Sequence, residues 1–243
     1  MIPDKFEHIR NEIQKVKIYL WPKRQDDGWD RLSRFIYGTQ DYSEIIKNIK
    51  GIKEKNNLNQ EFENYVICRW YNFWTSRIIE DNIFGEHLAV IPEKDRFHKY
   101  IDFYINKINF DLKCSVFPNK FNLTNDNAIN FALKNPTELI TWLYLQQSQQ
   151  GRWHIANRLF IVFIDFNNIN ESWRLKKQFS KLKFFINNYL DNFNSNLFMI
   201  EDKRIKGNPQ SDILFFIKNN NEFKGIFYSW KNNKITNTNE LKI

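Results

Sequence analysis

The sequence predicts an α/β protein in which helices flank a central mixed sheet. Three observations predict this class. From Glu61 to Asp165 the hydrophobic periodicity follows the order helix, strand, strand, strand, helix, strand. Residues 159–164 form a continuous apolar run, which is typical of a strand covered on both faces. Hydrophobic residues make up 42% of the 243 residues and aromatic residues 17%, which excludes an intrinsically disordered protein.

Residues 1–60 predict a helical N-terminal arm. Apolar residues recur at helical spacing from Lys5 to Ile18, and Asp4 is the expected N-cap. A second helix is expected from Glu44 to Ile52, followed by a loop over residues 53–59. Because no Pro- or Gly-rich linker divides the chain, we expect a single domain over residues 1–243.

Residues 61–165 predict the core of the domain. A long helix with a broad apolar face is expected from Glu61 to Phe84, with Gly85 as its C-terminal cap. Three short β-type segments follow, at residues 87–91, 97–105 and 108–117. Asn106-Lys107 predicts a tight turn between the last two of these segments. A helix from Pro136 to about Gln150, closed by Gly151, and the apolar strand complete this part.

Residues 166–243 predict an extension that contains β-structure and completes the sheet or contacts a ligand. A helix is expected from Ser172 to Leu190, and strands are expected at residues 197–200, 213–217 and 223–228. Residues 206–212 predict a loop.

The chain carries a formal net charge of +8, from 36 Lys and Arg against 28 Asp and Glu. This charge favours a polyanionic partner only weakly, because many basic proteins bind no nucleic acid. The longest apolar run is far shorter than the ~20 residues of a membrane-spanning helix, and the N-terminus lacks the features of a secretory signal. Two cysteines make no disulfide framework. We therefore expect a cytoplasmic protein without a membrane partner.

One hairpin concentrates ionisable groups. If its strands turn at Asn106-Lys107, Asp102 and Asp111 lie almost opposite each other, and Lys113 shares the face of Asp111. Two carboxylates this close repel unless a cation lies between them or one is protonated. The pattern alone also fits a solvent-facing hairpin with a satisfied Asp–Lys pair.

In this order of elements, the hairpin resembles the PD-(D/E)xK nuclease superfamily, the fold shared by many restriction endonucleases and DNA-repair nucleases. Its core is an αβββαβ unit with an Asp on the second strand and Asp or Glu, any residue, and Lys on the third. Asp102 matches the first position and Asp111-Leu112-Lys113 matches the second, whereas Ile101 replaces the usual Pro. The resemblance covers residues 61–165, under half of the chain.

The resemblance implies a restriction-endonuclease-like fold and a magnesium site with one or two ions. Asp102, Asp111 and the backbone carbonyl of Leu112 would hold the metal through oxygen ligands. Lys113 would orient the attacking water and offset charge at the phosphate. Many members carry a Glu on the first core helix. Glu80 is the best match for this Glu, and Asp81 and Glu86 remain alternatives.

Further residues are candidates for supporting or DNA-contacting roles. On the second core helix and just after it, the supporting candidates are Gln146, Gln147, Arg152 and His154. The DNA-binding candidates are Arg77, Lys176, Lys177, Lys203, Arg204, Asn208 and Gln210. A polar stripe on the long helix, made of Arg69, Asn72, Ser76, Arg77 and Glu80, is also expected to face the nucleic acid.

The predicted function is magnesium-dependent hydrolysis of phosphodiester bonds in double-stranded DNA, by a type II restriction enzyme that could act as a homodimer. Two alternatives stay open. One is another nuclease of the same fold, acting in repair, in transposition or on RNA. The other is a catalytically inactive, basic nucleic-acid-binding protein whose Asp–Lys hairpin is structural.

Overall fold

The computed structural model describes residues 5–22, 25–95, 98, 100–121, 127–146, 156–205 and 207–243. The chain forms two compact units, Met1–Asn82 and Ile83–Ile243. The expected single domain over residues 1–243, with a helical arm over residues 1–60, stays a prediction. Among the described residues, no helix combines the length and the apolar character needed to cross a membrane.

The first unit is helical. Its helices are α1 (Glu7–Gln14), α2 (Asp27–Leu32), α3 (Tyr42–Asn56) and α4 (Gln60–Ile78), with a 3-10 turn at Arg34–Tyr37 between α2 and α3. A π-helical segment, Ile79–Phe84, continues α4. The helices of the first unit form one compact body, because α4 packs against α1, α3 and the 3-10 turn.

Two predicted helix boundaries in this unit are wrong. The first helix ends at Gln14 rather than Ile18, because the chain then leaves the helix and packs Tyr19 on Tyr71 of α4, with ring centroids 5.5 Å apart. The second helix runs to Asn56, through part of the predicted loop 53–59. It ends where Asn57 takes a left-handed conformation with φ 49°.

Two members of the polar stripe of α4 make contacts within the first unit, and the assignment of the stripe to nucleic acid stays a prediction. Arg69 forms an ion pair with Asp30 at 3.1 Å and donates to the Tyr37 hydroxyl at 2.8 Å. Asn72 donates to the Tyr19 hydroxyl at 2.8 Å. Polar side chains on an amphipathic helix can thus face other chain segments as well as solvent.

The second unit contains a mixed eight-stranded sheet with helices on both faces, which confirms the predicted α/β class. The strands are β1 (Val90–Pro92), β2 (Phe103–Ile105), β3 (Ile108–Val116), β4 (Arg158–Asp165), β5 (Phe198–Met199), β6 (Gln210–Asn219), β7 (Glu222–Lys231) and β8 (Lys234–Lys242). The helices are α5 (Ala128–Lys134), α6 (Pro136–Gln146) and α7 (Phe179–Asp191), with a 3-10 segment at Ile169–Lys177.

The strand order is β1-β2-β3-β4-β6-β7-β8, and β5 pairs with the first residues of β6. β3, β4 and β6 are parallel neighbours, and the other pairs are antiparallel. All eight residues of β4 are buried, as its apolar run predicts. Tyr144 of α6 packs on Phe160, and Phe185 of α7 packs on Phe216, which faces the opposite side of the sheet.

The turn between β2 and β3 confirms the prediction for Asn106-Lys107. Ile105 pairs with Ile108, and both turn residues have positive φ, 47° and 70°. This is the geometry of a two-residue type I′ turn, whose twist matches that of a hairpin. The turn fixes the register of the strands that carry the acidic residues.

Several predicted elements differ from the structure. β1 begins at Val90 and β2 at Phe103, so both strands are shorter than predicted. The helix expected at 172–190 is interrupted at Gln178, where ψ is 54°. β8 was not predicted, because its polar residues show no apolar alternation and it lies exposed at the sheet edge.

Asp212 is a carboxyl group buried inside the second unit. It accepts hydrogen bonds from Trp230 Nε1 at 3.0 Å, from the Tyr189 hydroxyl at 3.0 Å and from the backbone of Ile213 at 2.8 Å. Burial raises the pKa of Asp212 to about 6, although these donors oppose the shift. The folded protein therefore binds this proton at a pH where the unfolded chain has released it.

This raised pKa predicts the sign of a pH effect. As the pH rises from about 4 to about 6, the wild-type free energy of unfolding should fall relative to that of Asp212→Asn. The expected fall is on the order of 2 kcal/mol, since one pKa unit corresponds to about 1.4 kcal/mol. Urea denaturation of both proteins across this range measures the difference. A difference that stays constant with pH contradicts the assignment.

Gly225 of β7 allows α7 to approach the sheet closely. A Cβ atom at this position would lie 2.1 Å from Cδ2 of Phe185. Gly225→Ala should therefore lower the free energy of unfolding by about 1–3 kcal/mol through overpacking. Gly51→Ala in α3 is the control, since the added Cβ would meet nothing within 4 Å outside its own stretch of helix, and alanine favours a helix. Equal denaturation midpoints for Gly225→Ala and the wild type would contradict this packing.

Candidate functional site

Asp102 lies immediately before β2 and contacts the backbone of β3. β2 and β3 pair Phe103 with Phe110, so Asp102 and Asp111 are the next positions on the two chains. Asp102 donates its backbone N–H to Phe110 O at 2.8 Å. Its Oδ2 accepts the backbone N–H of Leu112 at 2.6 Å. The Asp102 carboxylate thus replaces a backbone carbonyl as the acceptor for the Leu112 N–H, and it lies against the Asp111–Leu112 peptide.

Asp111 lies on β3, is 7% exposed and contacts two cations. Lys113 Nζ forms an ion pair with its Oδ1. Arg158 Nε, on the neighbouring strand β4, lies 3.2 Å from its Oδ2. We name Asp102, Asp111, Lys113 and Arg158 the carboxylate cluster. Its four side chains carry a formal charge of zero, since the cluster contains two carboxylates and two cations.

Sequence reasoning missed Arg158. The parallel register of β3 and β4 pairs Asp111 with Arg158, so their side chains share one face of the sheet. The available signal was a cation placed directly before the apolar run 159–164. A strand pattern alone could not have shown its partner, because parallel register is set by tertiary packing.

The surroundings of Arg158 are closely packed. Its guanidinium carbon lies 4.9 Å from the ring centroid of Tyr144 on α6, within the range of a cation–π contact. Burial raises the pKa of the Tyr144 hydroxyl, which donates to Ala156 O at 3.1 Å. Among the buried side-chain nitrogen and oxygen atoms of the described residues, Arg158 Nη1 alone has no hydrogen-bond partner.

Asn157 connects the strands that carry the cluster. Its backbone carbonyl accepts from Asp111 N at 2.9 Å, and its Oδ1 accepts from Gln210 N at 2.9 Å. Its Nδ2 donates to Asn109 Oδ1 at 3.3 Å. β3, β4 and β6 are therefore held at the level of Asp111, Arg158 and Ser211.

The donor atoms of the cluster fit a magnesium ion. Asp102, Asp111 and the Leu112 carbonyl supply oxygen donors, which Mg²⁺ prefers. Leu112 N–H faces Asp102, and the carbonyl of a strand residue points to the same edge as its N–H. Each carboxylate oxygen has two lone pairs, so an oxygen that accepts from a cation retains one for a metal.

The predicted helix carboxylates have partners of their own. Arg77 lies 3.3 Å from Glu80 and 2.6 Å from Asp81, all within the first unit. In the second unit, Glu86 pairs with Lys183 of α7 at 2.7 Å. The assignment of Glu80 to the metal stays a prediction, as do its two alternatives.

The supporting candidates are only partly described. Gln146 is the exposed last residue of α6. Gln147, Arg152 and His154 lie outside the described residues, as does the expected helix cap Gly151.

The DNA-binding candidates divide by exposure. Lys203, Arg204 and Asn208 are exposed, and Arg204 lowers the pKa of Asp202 to about 2 by donating to it. Lys177 lies 5.6 Å from the Trp173 ring. Lys176 is 4% exposed, and its assignment to DNA stays a prediction, as do those of the other candidates. Gln210 begins β6 and Ser211 and Asp212 are buried, so the predicted loop ends at Pro209.

A second acidic group lies in the first unit. Among the described residues, ligand atoms of His8, Glu12 and Asp41 lie within 4.8 Å of one another. Glu12 is already engaged, because it accepts from Tyr42 N at 2.9 Å and pairs with Lys15. The hydrogen bond from Lys15 lowers the pKa of Glu12. These contacts attach the start of α3 to α1, which explains why the three side chains lie close together.

No family model, curated protein or solved structure matches this chain. The resemblance to PD-(D/E)xK nucleases therefore depends on the motif residues and on the order of the elements.

The buried ion pair predicts non-additive stability effects. Arg158→Met should lower the free energy of unfolding by about 3 kcal/mol, because it leaves Asp111 buried with only Lys113. Adding Asp111→Asn should recover part of this loss, since the double variant leaves no buried carboxylate. Chemical denaturation of the two single variants and the double variant measures the coupling. Additive losses would show that the two side chains do not interact.

Proposed function

We propose that this protein is a magnesium-dependent endodeoxyribonuclease that hydrolyses double-stranded DNA, in the manner of a type II restriction enzyme. The observation that carries the proposal is the contact between the Asp102 carboxylate and the Leu112 N–H, at 2.6 Å. It brings the two parts of the Asp…Asp-Leu-Lys motif to one place on the sheet, although they come from different segments of the hairpin.

The order and pairing of the strands support the same proposal. α4 is followed in the chain by the antiparallel strands β1, β2 and β3. α5 and α6 then lead to β4, which pairs with β3 in parallel. This succession agrees with the αβββαβ order expected of the nuclease core, with α5 as an additional helix, and the motif residues lie on the third strand and next to the second.

The residues of the cluster would divide the chemistry among them. Asp102, Asp111 and the Leu112 carbonyl would hold magnesium, which supplies an activated water and neutralises charge on the phosphate. Lys113 is the more exposed cation of the cluster, with 37% of its side chain accessible. It would orient the attacking water and offset negative charge at the scissile phosphate.

Basic residues outside the cluster would hold the DNA backbone. Lys203 and Arg204 lie before the turn that leads to β6, and both are exposed. In this turn Gly207 and Asn208 have positive φ, 84° and 44°. The exposed amide of Asn208 suits hydrogen bonding to an adenine edge. Cleavage of both strands would call for two active sites, which a homodimer would provide.

One observation favours a second candidate function, that of an inactive nucleic-acid-binding protein. Both oxygens of Asp111 already contact cations, Lys113 on one side and Arg158 on the other. In this alternative, the ion pairs stabilise the sheet and the basic surface binds nucleic acid without cutting it. Cleavage experiments separate the two functions.

The nuclease proposal predicts metal-dependent cutting of plasmid DNA. With Mg²⁺, the wild type should convert supercoiled plasmid into nicked and linear forms, and EDTA should stop the reaction. Asp102→Asn, Asp111→Asn and Lys113→Met should each lower the rate by about 10²-fold or more, since metal or charge stabilisation at the phosphate is lost. Gel electrophoresis of time points on methylated and unmethylated plasmids gives the rates.

A matched acidic control is Glu222→Gln, which removes a carboxylate from the exposed ion pair with Lys242 on the β7–β8 edge. This variant should cut at the wild-type rate. Full activity of Asp102→Asn would refute the assignment of the site. DNA binding by the wild type without cleavage on either substrate would establish the inactive alternative.

A further inference from the structure

Asp111 is held by two cations that differ in their freedom to move. Lys113 Nζ contacts its Oδ1, and 37% of the Lys113 side chain is accessible. Arg158 Nε lies 3.2 Å from its Oδ2, and only 9% of the Arg158 side chain is accessible. Lys113 therefore lies on the open side of Asp111, whereas Arg158 lies on its closed side.

Several contacts keep Arg158 in place. It is the first residue of β4, where it pairs with Asp111 of β3 on one side and with Ser211 of β6 on the other. Ser211 Oγ donates to the Arg158 carbonyl at 2.8 Å. The guanidinium carbon lies 4.9 Å from the ring centroid of Tyr144, which is itself buried. A guanidinium is always charged, and these contacts hold its charge beside Asp111.

The two cations would respond differently to a metal ion. A divalent ion bound to Asp102 and Asp111 would lie close to both, and like charges at short distance repel. Lys113 can lower this repulsion, because its flexible and partly accessible side chain is able to rotate toward solvent. The enclosed side chain of Arg158 lacks this freedom, so its repulsion of the ion persists.

We propose that Arg158 is a positioning residue that acts through Asp111 and limits the affinity of the site for divalent metal. It serves as the resident counter-charge of a buried carboxylate, which stabilises the fold without a metal and lowers the attraction of Asp111 for one. This inference rests on the proposed nuclease function, and it concerns a residue that the nuclease motif does not contain.

The test measures Mn²⁺ binding through the electron paramagnetic resonance signal of the free ion, which is lost on binding. The main comparison is between the wild type and Arg158→Gln, which removes the charge but keeps a donor for Asp111. Arg158→Lys is the matched variant that keeps the charge and lacks the planar fork. The titrations are run without DNA and repeated with a saturating phosphorothioate duplex, which decides the comparison if neither protein binds Mn²⁺ alone.

Arg158→Gln should bind Mn²⁺ about tenfold more tightly than the wild type or better, because a unit charge close to a divalent ion is removed. Arg158→Lys should bind within about threefold of the wild type, since it keeps this charge. The Mg²⁺ concentration for half-maximal plasmid cleavage should fall in Arg158→Gln by a similar factor. A residue that only holds the sheet together would not give this result, because a less ordered site binds its ligand more weakly.

The control for loss of one positive charge is Lys242→Gln, which changes an exposed lysine of β8. This variant should bind Mn²⁺ within about twofold of the wild type, because a distant exposed charge is screened by salt. Asp102→Asn/Asp111→Asn gives the level of Mn²⁺ binding elsewhere on the protein. Circular dichroism verifies that every variant is folded. If Arg158→Gln is unfolded without metal, added Mn²⁺ should refold it, because the ion then supplies the missing counter-charge of Asp111.

The outcomes separate the two proposals. Suppose that the wild type cleaves DNA with Mg²⁺, but Arg158→Gln binds Mn²⁺ no more tightly than the wild type or stays unfolded with it. The role of Arg158 is then overturned and the nuclease function stands. If the wild type neither cleaves DNA nor binds Mn²⁺ above the level of Asp102→Asn/Asp111→Asn, both proposals are overturned. Tighter binding by Arg158→Gln and not by Arg158→Lys supports the role of the Arg158 charge.

Discussion

The structure of the candidate site depends on the register of β3 with its two neighbours. On one edge, the type I′ turn at Asn106-Lys107 aligns β2 so that Asp102 reaches the Leu112 N–H. On the other edge, parallel pairing with β4 places Arg158 beside Asp111. A slip of one residue would turn Asp111 and Lys113 to the opposite face of the sheet, into the hydrophobic packing against α7. Asn157 opposes such a slip, because it bonds to β3 and β6 at once.

Local sequence signals were sufficient for features that depend on neighbouring residues. The tight turn, the apolar strand β4 and the pairing of hydrophobic segments into an α/β sheet all follow from short-range patterns. Features set by distant contacts could not be predicted in this way. α1 ends early because Tyr19 packs on α4, and β8 forms at the edge of an existing sheet despite its polar sequence. Arg158 belongs to the same class, since its role appears only when β4 lies beside β3.

The charges of the protein act at two levels. The excess of +8 favours any polyanion without selecting one. The carboxylate cluster is neutral in total, and it arranges two anions and two cations over a short distance. Such an arrangement can hold a divalent metal with its carboxylates and a phosphate with Lys113, its more exposed cation. The same ion pairs also stabilise the sheet, which is why the inactive alternative shares so many of its features. In the proposed function, catalysis and the stability of the sheet therefore depend on the same side chains.

The central claim is that Asp102 and Asp111 form a divalent-metal site that works with DNA. Electron paramagnetic resonance of Mn²⁺ measures this directly, with a phosphorothioate DNA duplex that resists cleavage. The account predicts one or two Mn²⁺ ions bound per chain to the wild type with the duplex, and loss of this binding in the double variant Asp102→Asn/Asp111→Asn. Equal Mn²⁺ binding by both proteins, or none by the wild type, would contradict the account.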